Sequence, residues 1–409
     1  MEPWFESRYG GIFTHFGMLR LLPSDPDVPM CAATLAPRAA RPEPAPVGGA
    51  GWNIAAARGA CIGEALERFQ TYPLRRDATI TASYQAWTSD ERAVEPRRWV
   101  LFHREQYQNP AFPCLPLEHG TECRWVCFRD VSSGEPVWVP EDLAFLFPRA
   151  GAPHRIAPMT STGLSCGRTK DPVLLRGLQE AIERDAIVGA WWGRYRLEEH
   201  DPERVFRLCG ERIAHQSRRP NISYRFYRVA TPFSAHVVVV TAHGEDQDGV
   251  LFSTGAACRG ARGDAWQKAL LECIQGRQYV RYLRQQGVCT SSMPRDFAEH
   301  ALYYTSHPDL LRQTPFSNPS AGTDSQSVQD AHERLADLLE RLGPQHPVLV
   351  RAMTPPNVAT AGEGWYVLKV LVVGLQPLHG NHALAHLGGP LWAPRSVAEF
   401  AQSLPHPFA

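Results

Sequence analysis

Three short stretches of the chain each set acidic or amide side chains three residues apart beside an arginine: Glu64 and Glu67 with Arg68, Glu180 and Glu183 with Arg184, and Glu272 and Gln275 with Arg277. Residues at i and i+3 share a helix face. Their neighbours are apolar or small (Ile62, Ala65, Leu66 and Phe69; Leu178, Ala181, Ile182 and Ala186; Leu270, Leu271 and Ile274), which puts some of these carboxylates on a partly buried face. Buried carboxylates need cations. A single Glu-x-x-Glu-Arg reads most simply as a solvated helix edge laced with intrahelical salt bridges. Three in one chain point instead to hard oxygen ligands for Mg²⁺, gathered with guanidinium forks that hold phosphate oxygens.

A conventional nucleotide loop is absent. The residues after the three lysines are Asp171, Ala269 and Val370, so no Gly-Lys-Ser/Thr exists, and Gly48-Gly49-Ala50-Gly51 does not make a G-x-G-x-x-G fingerprint. ATP, if bound, is expected to be held through carboxylate-bound magnesium. His379, His382 and His386 lack a helical H-E-x-x-H pattern and are interrupted by Gly380-Asn381, so they read as a loop rather than a zinc site. Cys123 and Cys127, and Cys61, Cys166, Cys258 and Cys273 beside the motifs, read as packing residues.

The elements that must carry these groups follow from periodicity. Apolar spacing predicts helices over Ile54 to Tyr72, Val173 to Tyr195 and Asp264 to Arg284, with strands at Ala235 to Thr241 and Trp365 to Val373, a mixed α/β (α+β) chain. The Pro-, Ala- and Gly-rich Ala36 to Gly51 predicts a loop without regular structure, Pro315 to Val328 a flexible stretch, and Ala331 to Leu342 an amphipathic surface helix. Ser161-Thr-Gly-Leu-Ser-Cys-Gly167 echoes Ser253-Thr-Gly-Ala-Ala-Cys-Arg-Gly260, and each has a Glu nineteen residues after its Ser, Glu180 and Glu272. Both units read as strand end, Gly-rich turn, then helix, which suggests two related halves around one site.

The 409 residues exceed one ordinary core, so intimately packed subregions are expected within a single catalytic unit: 1–150 with the first motif helix, 151–300 with the second and third, and 301–409 with a Pro-rich tail. Lys+Arg and Asp+Glu both number 42, giving no basic footprint for nucleic acid; a peptide or small-molecule substrate fits better. The N-terminus has no signal-peptide pattern, and the apolar run Tyr366 to Leu375 is broken by Lys369, so no membrane role and a cytoplasmic location are expected. Ten cysteines in such a chain predict free thiols and no structural disulfides.

With these residues in place, GACIGEALERFQ (59–70), STGLSCGRTKDPVLLRGLQEAIERDAIVGAWW (161–192) and GDAWQKALLECIQGR (263–277) resemble the three ATP-binding motifs of the YcaO family, in the family's order. The likeness extends to the N-terminal LRLLPSDPDVP and to VLVVGLQPLHGNHALAHLGGP near the end. It implies the YcaO fold, with mixed sheets and helices around a central ATP/Mg²⁺ site. It makes Glu64, Glu67, Glu180 and Glu183 the Mg²⁺ ligands, and places Arg68, Arg184, Glu272, Gln275 and Arg277 at the nucleotide. Where the family commonly has Ser, Asn, an acidic residue and Pro, this chain has Ala60, Arg168, Pro172 and Val373, which puts nucleotide contacts from the first three in question.

Azoline-forming members of the family end in Pro-x-Pro-x-Pro, and this chain ends Pro405-His-Pro407-Phe-Ala409, which by resemblance assigns Pro405, Pro407 and Ala409 to the catalytic region. The implied activity is ATP-dependent cyclodehydration of Cys, Ser or Thr in a ribosomally made precursor peptide. The core begins without a separate leader-binding module, so a ThiF/E1-like or leader-recognition partner is expected, and a homodimer by resemblance. Backbone thioamide formation and a non-catalytic scaffold are the alternatives; the proline tail speaks against the first and the retained carboxylates against the second.

Overall fold

In the computed structural model the residues described are 11–37, 45–70, 78–87, 92–146, 155–247, 249–322, 332–354, 364–392 and 395–409. The strands are β1 (Phe13–Met18), β2 (Met30–Leu35), β3 (Ala45–Ala50), β4 (Thr79–Ala82), β5 (Cys123–Asp130), β6 (Pro136–Pro140), β7 (Leu164–Gly167), β8 (Arg196–His200), β9 (Ile222–Ala230), β10 (Val237–Asp246), β11 (Gly249–Cys258), β12 (Ser320–Ala321), β13 (Val348–Ala352) and β14 (Tyr366–Val372). The helices are α1 (Ile54–Gln70), α2 (Arg104–Tyr107), α3 (Lys170–Trp191), α4 (Pro202–Cys209), α5 (Glu211–Ser217), α6 (Arg262–Gln285), α7 (Phe297–Ser306), α8 (Leu335–Leu342) and α9 (Val397–Phe400).

Among the described residues the strands form three sheets: β1-β2-β3; β11-β10-β9-β8-β12; and β4-β5-β13-β14-β7 with β6 on the free side of β5. Pairing is antiparallel except for β12 on β8. The third sheet interleaves strands from residues 79–140 with strands from 348–372, so the two ends of the chain share one framework.

Helix α3 lies between two of these sheets. Its apolar side chains reach nearly all round: Leu178, Ile182 and Ile187 are buried in one cluster with Val229, Val237 and Val239 of the second sheet and Val370 and Val372 of the third. A helix buried on all sides is a central one. Helix α6 covers the opposite face of the second sheet, with Trp266, Ala269, Leu270 and Ile274 against Val238, Val240 and Ala257. Helix α1 joins the first and third sheets through Cys61, Ala65 and Leu66, packed with Ala33, Val47 and Val367.

The three motif helices fall close to their expected spans. The Pro/Gly-rich stretch does not stay irregular: its second half is β3, paired along its length with β2. The glycines are there for packing, since a β-carbon on Gly49 would drive into the backbone of Ala57, Ala60 and Cys61 on α1. In Pro315 to Val328, a 3-10 turn (Pro315–Ser317) and β12 are regular, and 323–328 lie outside the described residues. The surface helix begins only at Leu335, because Arg334 is its N-cap, and it buries Leu338 and Leu342. All ten cysteines are free thiols. Among the described residues no helix is long and apolar enough to cross a membrane.

Candidate active site

The acids of the three motif helices meet. Glu64 and Glu67 come from α1, Glu180 and Glu183 from α3, and Glu272 from α6. Their mutual repulsion is written in their proton affinities: burial, then Glu180 and Glu64, push Glu67 up to about 8. Burial likewise pushes Glu183 up to about 8, with Glu272 and Glu180 adding to it against the pull of Arg184. Glu180 is also raised, chiefly by burial. Burial presses Glu272 the same way, but Lys268, Arg184 and Arg259 together overcome it and hold it below its ordinary value.

Strand ends hold the carboxylates in place. Gly48 N donates to Glu64 Oε2 at 3.2 Å, Gly163 N to Glu180 Oε2 at 3.2 Å, and Cys258 N to Glu183 Oε2 at 3.2 Å. The donors are a residue within β3, the turn just before β7 and the last residue of β11, so a backbone N–H in the segment ahead of each motif helix fixes one acid. Gly163 has φ +78 and sits against the Val370 carbonyl, a conformation and a closeness that only glycine meets.

Cations surround the acids without neutralising them. Arg184, partly buried, lies 3.7 Å from Glu180 and 3.9 Å from Glu183, longer than a good ion pair. Lys268 Nζ is 2.9 Å from Glu272, and Arg68 is 3.5 Å from Glu64 at the solvent edge. Three cations that the motifs did not reveal face the cluster as well. Lys369 of β14, fully buried, donates to Thr160 O and Thr162 O at 2.9 and 2.8 Å and lies in the field of Glu180; burial lowers it to about 8. Arg176 acts on Glu67, and Arg259 on Glu183 and Glu272.

Gln275 falls beside the anchor of Glu64, its Nε2 3.5 Å from where a β-carbon on Gly48 would be. Arg277 faces elsewhere. It is 1% exposed, its charge is felt with those of Asp25, Asp246 and Arg281 rather than with the five acids, and Nε, Nη1 and Nη2 have no hydrogen-bond partner among the described residues. Arg281, one turn further along, takes the salt bridges to Asp25 and Asp246.

The C-terminal tail is buried through Phe408, with Ala409 exposed. Four successive carbonyls accept bonds from the core: Leu404 O from Trp191 Nε1 at 2.8 Å, Pro405 O from Tyr304 Oη at 2.7 Å, His406 O from His300 Nδ1 at 2.6 Å, and Pro407 O from Thr254 Oγ1 at 3.1 Å. Thr254 and Cys258 lie on one face of β11 and about 13 Å apart by the strand rise. Trp191 is two turns beyond Glu183 on α3, or about 12 Å by the helix rise. Tail anchors and acids therefore occupy two ends of one α3/β11 interface.

The donor set fits a divalent cation. Carboxylates gathered from three helices, with Glu67, Glu180 and Glu183 pushed toward protonation by burial and by one another, are hard oxygen ligands that a magnesium ion would return to the ionised state.

Comparison with known proteins agrees with this chemistry. The family described as YcaO cyclodehydratase, ATP- and Mg²⁺-binding, matches residues 48–376. No curated protein sequence matches. Among solved structures, a heterocyclase in complex with substrate and cofactor superposes with TM-score 0.71 at 16% identity over 98% of this chain; the chain spans 53% of that protein. The YcaO protein of Methanopyrus kandleri bound with AMPPCP and Mg²⁺ gives 0.59 at 19% identity, over 89% of this chain and 86% of that one. A chain of the E. coli microcin synthetase McbBCD complex with pro-MccB17 bound gives 0.64 at 14%, over 96% of each.

Proposed function

This chain belongs to the YcaO family, and from that premise we propose that it is an ATP- and Mg²⁺-dependent cyclodehydratase that closes Cys, or Ser and Thr, of a ribosomally made precursor peptide into azoline rings. The observation that carries the reading is the meeting of Glu64, Glu67, Glu180, Glu183 and Glu272 from three helices, with Glu67 and Glu183 pushed up to about 8.

In this reading Glu64, Glu67, Glu180 and Glu183 hold Mg²⁺, and Arg68, Arg184, Glu272 and Gln275 line the nucleotide. Arg277, in the field of Asp25 and Asp246, stands apart from this set. Bound Mg·ATP supplies the phosphoryl group that converts the substrate amide oxygen into a leaving group. Arg184, positioned between two carboxylates, offsets negative charge on the phosphates. The buried tail of Pro405 and Pro407 forms a rigid wall at the far end of the α3/β11 interface, and the C-terminal region that contains Pro405, Pro407 and Ala409 lines the peptide's side of the site. Holding the side-chain nucleophile against its own preceding amide supplies the intramolecular advantage.

The chain acts as a single catalytic unit, in the cytoplasm, where its ten thiols stay reduced. A ThiF/E1-like or leader-recognition protein presents the peptide, and two copies of the chain pair.

The test is peptide mass spectrometry after incubation of the chain, its partner and a precursor peptide encoded nearby with Mg·ATP. Loss of one water per modified residue, abolished by Glu183→Gln, supports the reading. Exchange of oxygen for sulfur would assign thioamide formation, and an unchanged peptide in every combination would sink both.

A further inference from the structure

Four buried histidines gather under the C-terminal tail, away from the acids: His300 on α7, His379 and His382 before α9, and His406 in the tail, 0%, 3%, 4% and 2% exposed. His300 stacks on His406 with ring centroids 3.9 Å apart, and His379 meets His406 edge-on at 4.5 Å. One ligand atom each of His300, His379 and His406 lies within 4.8 Å of the others. His382 flanks them, 5.9 Å from His379 and 6.3 Å from His300. This is not the triplet suggested by sequence spacing, because His386 stacks on Phe102 instead.

The hydrogen bonds fix the tautomers. A carbonyl can only accept, so the ring nitrogen facing it carries the proton and the other carries the lone pair. His300 Nδ1 donates to His406 O at 2.6 Å, which leaves Nε2 as the lone-pair atom, and Nε2 has no partner. His406 Nε2 donates to His379 O at 2.8 Å, leaving its Nδ1 lone pair to accept the Phe408 N–H at 3.3 Å, a long bond that a metal ion on Nδ1 would displace. Both ring nitrogens of His379 and of His382 are unpartnered among the described residues. All four rings are buried, and neutral imidazole is the form that ligates metal.

A dry cluster of neutral imidazoles with orphaned nitrogens is costly unless something binds it. We propose that His300, His379 and His406 bind one first-row transition-metal ion, Zn²⁺ by default, with His382 as the fourth ligand. Imidazole donors without carboxylate or thiolate suit Zn²⁺ and its borderline neighbours. The two ring N–H groups on backbone carbonyls are the outer contacts that hold ligating histidines in orientation. Closing to the usual Zn–N distance of about 2.0–2.1 Å requires the stacked His300/His406 pair to tilt. The ion would tie the tail, through His406 between Pro405 and Pro407, to α7 and to the 379–382 segment. This inference does not depend on the nucleotide reading.

The full chain, without a polyhistidine tag, is expressed in zinc-supplemented medium, washed in excess Mg²⁺ to fill the carboxylate site, and assayed for zinc by mass spectrometry. About one equivalent per chain is expected. Glu183→Gln should retain it, and His379→Asn should lose it by about tenfold or more. A folded wild-type chain without zinc, or equal zinc in His379→Asn, overturns the proposal. Should His379→Asn fail to fold, the wild type grown with Co²⁺ decides. Tetrahedral nitrogen-ligated bands support the site, whereas thiolate-to-cobalt charge transfer would place the ion on the cysteines and overturn it.

Discussion

Glu183 and Cys258 stand 75 residues apart, and Glu183 Oε2 accepts the Cys258 amide at 3.2 Å. The bond ties the middle of α3 to the last residue of β11, just before the chain turns into α6 and brings Glu272 to the same site. One carboxylate thus registers two of the three motif helices, and it does so while burial and its neighbours push it toward protonation.

Glu183→Gln keeps the size of the side chain and can still accept from Cys258 N, so the fold should persist. What it removes is a negative charge from the proposed metal site. Mg²⁺-dependent ATP turnover should fall about 100-fold or more, since even outer partners of metal ligands are worth 10–100-fold. Phosphate release and circular dichroism measured on the same sample check both halves.

The raised carboxyls set a pH dependence for the metal-free protein. Glu67 and Glu183 ionise near the ordinary glutamate value of 4.5 when unfolded and are pushed up to about 8 when folded. Between those values the folded state holds more protons, so their contribution to stability falls as pH rises from about 4.5 to about 8 and is constant beyond. Thermal melts without metal should show this slope as a difference between wild type and Glu67→Gln/Glu183→Gln. Mg·ATP should raise the wild-type Tm more at the upper end of the window than at the lower.

Tyr304→Phe strips the hydroxyl from Pro405 O inside the core. An unpaired buried acceptor costs about 1–3 kcal/mol, to be read by denaturant unfolding. Because the tail anchors sit at the far end of the α3/β11 interface, Mg·ATP affinity should stay near wild type while peptide cyclisation drops. A matching loss of nucleotide binding would mean that the tail supports the acid cluster itself.

Gly49→Ala and Gly59→Ala form a matched pair on the β3/α1 unit. The first forces a β-carbon into the α1 backbone at Ala57 and Cys61, and overpacking of that kind costs about 1–3 kcal/mol or more. The second lies on the exposed side of α1 with nothing within 4 Å, so it should stabilise by up to about 1 kcal/mol through helix propensity. Unfolding midpoints of the two variants check the pair.

How much of this was legible in the sequence depends on whether the information is local. The motif helices, and the pairing of Glu64 with Glu67 and of Glu180 with Glu183, follow from i, i+3 spacing, which one helix face settles, whereas the meeting of the two pairs comes from the packing of α1 and α3. Arg277 could have been placed by the same rule: five residues after Glu272, it lies about 140° around α6 and faces away, whereas Gln275, three residues on, shares the acid's side. Lys369 was visible only as a charge interrupting an apolar strand. Its place beside Glu180 comes from sheet register, Lys369 opposite Leu164 across β14 and β7, which spacing along one strand does not encode. β3 was missed because its glycines, which lower strand propensity, are required by the close approach of α1. The histidine cluster was invisible for a further reason, since His300 and His406 meet only when the tail docks.

The central claim is that the site activates the substrate amide oxygen by phosphorylation, and the most direct test follows that oxygen. A precursor peptide carrying a heavy-oxygen label in the amide carbonyl before the modified residue is incubated with the chain, its partner and Mg·ATP. The account predicts that the label appears in inorganic phosphate, one labelled phosphate per ring formed. Rings that form with unlabelled phosphate, the heavy oxygen passing to water, would contradict it.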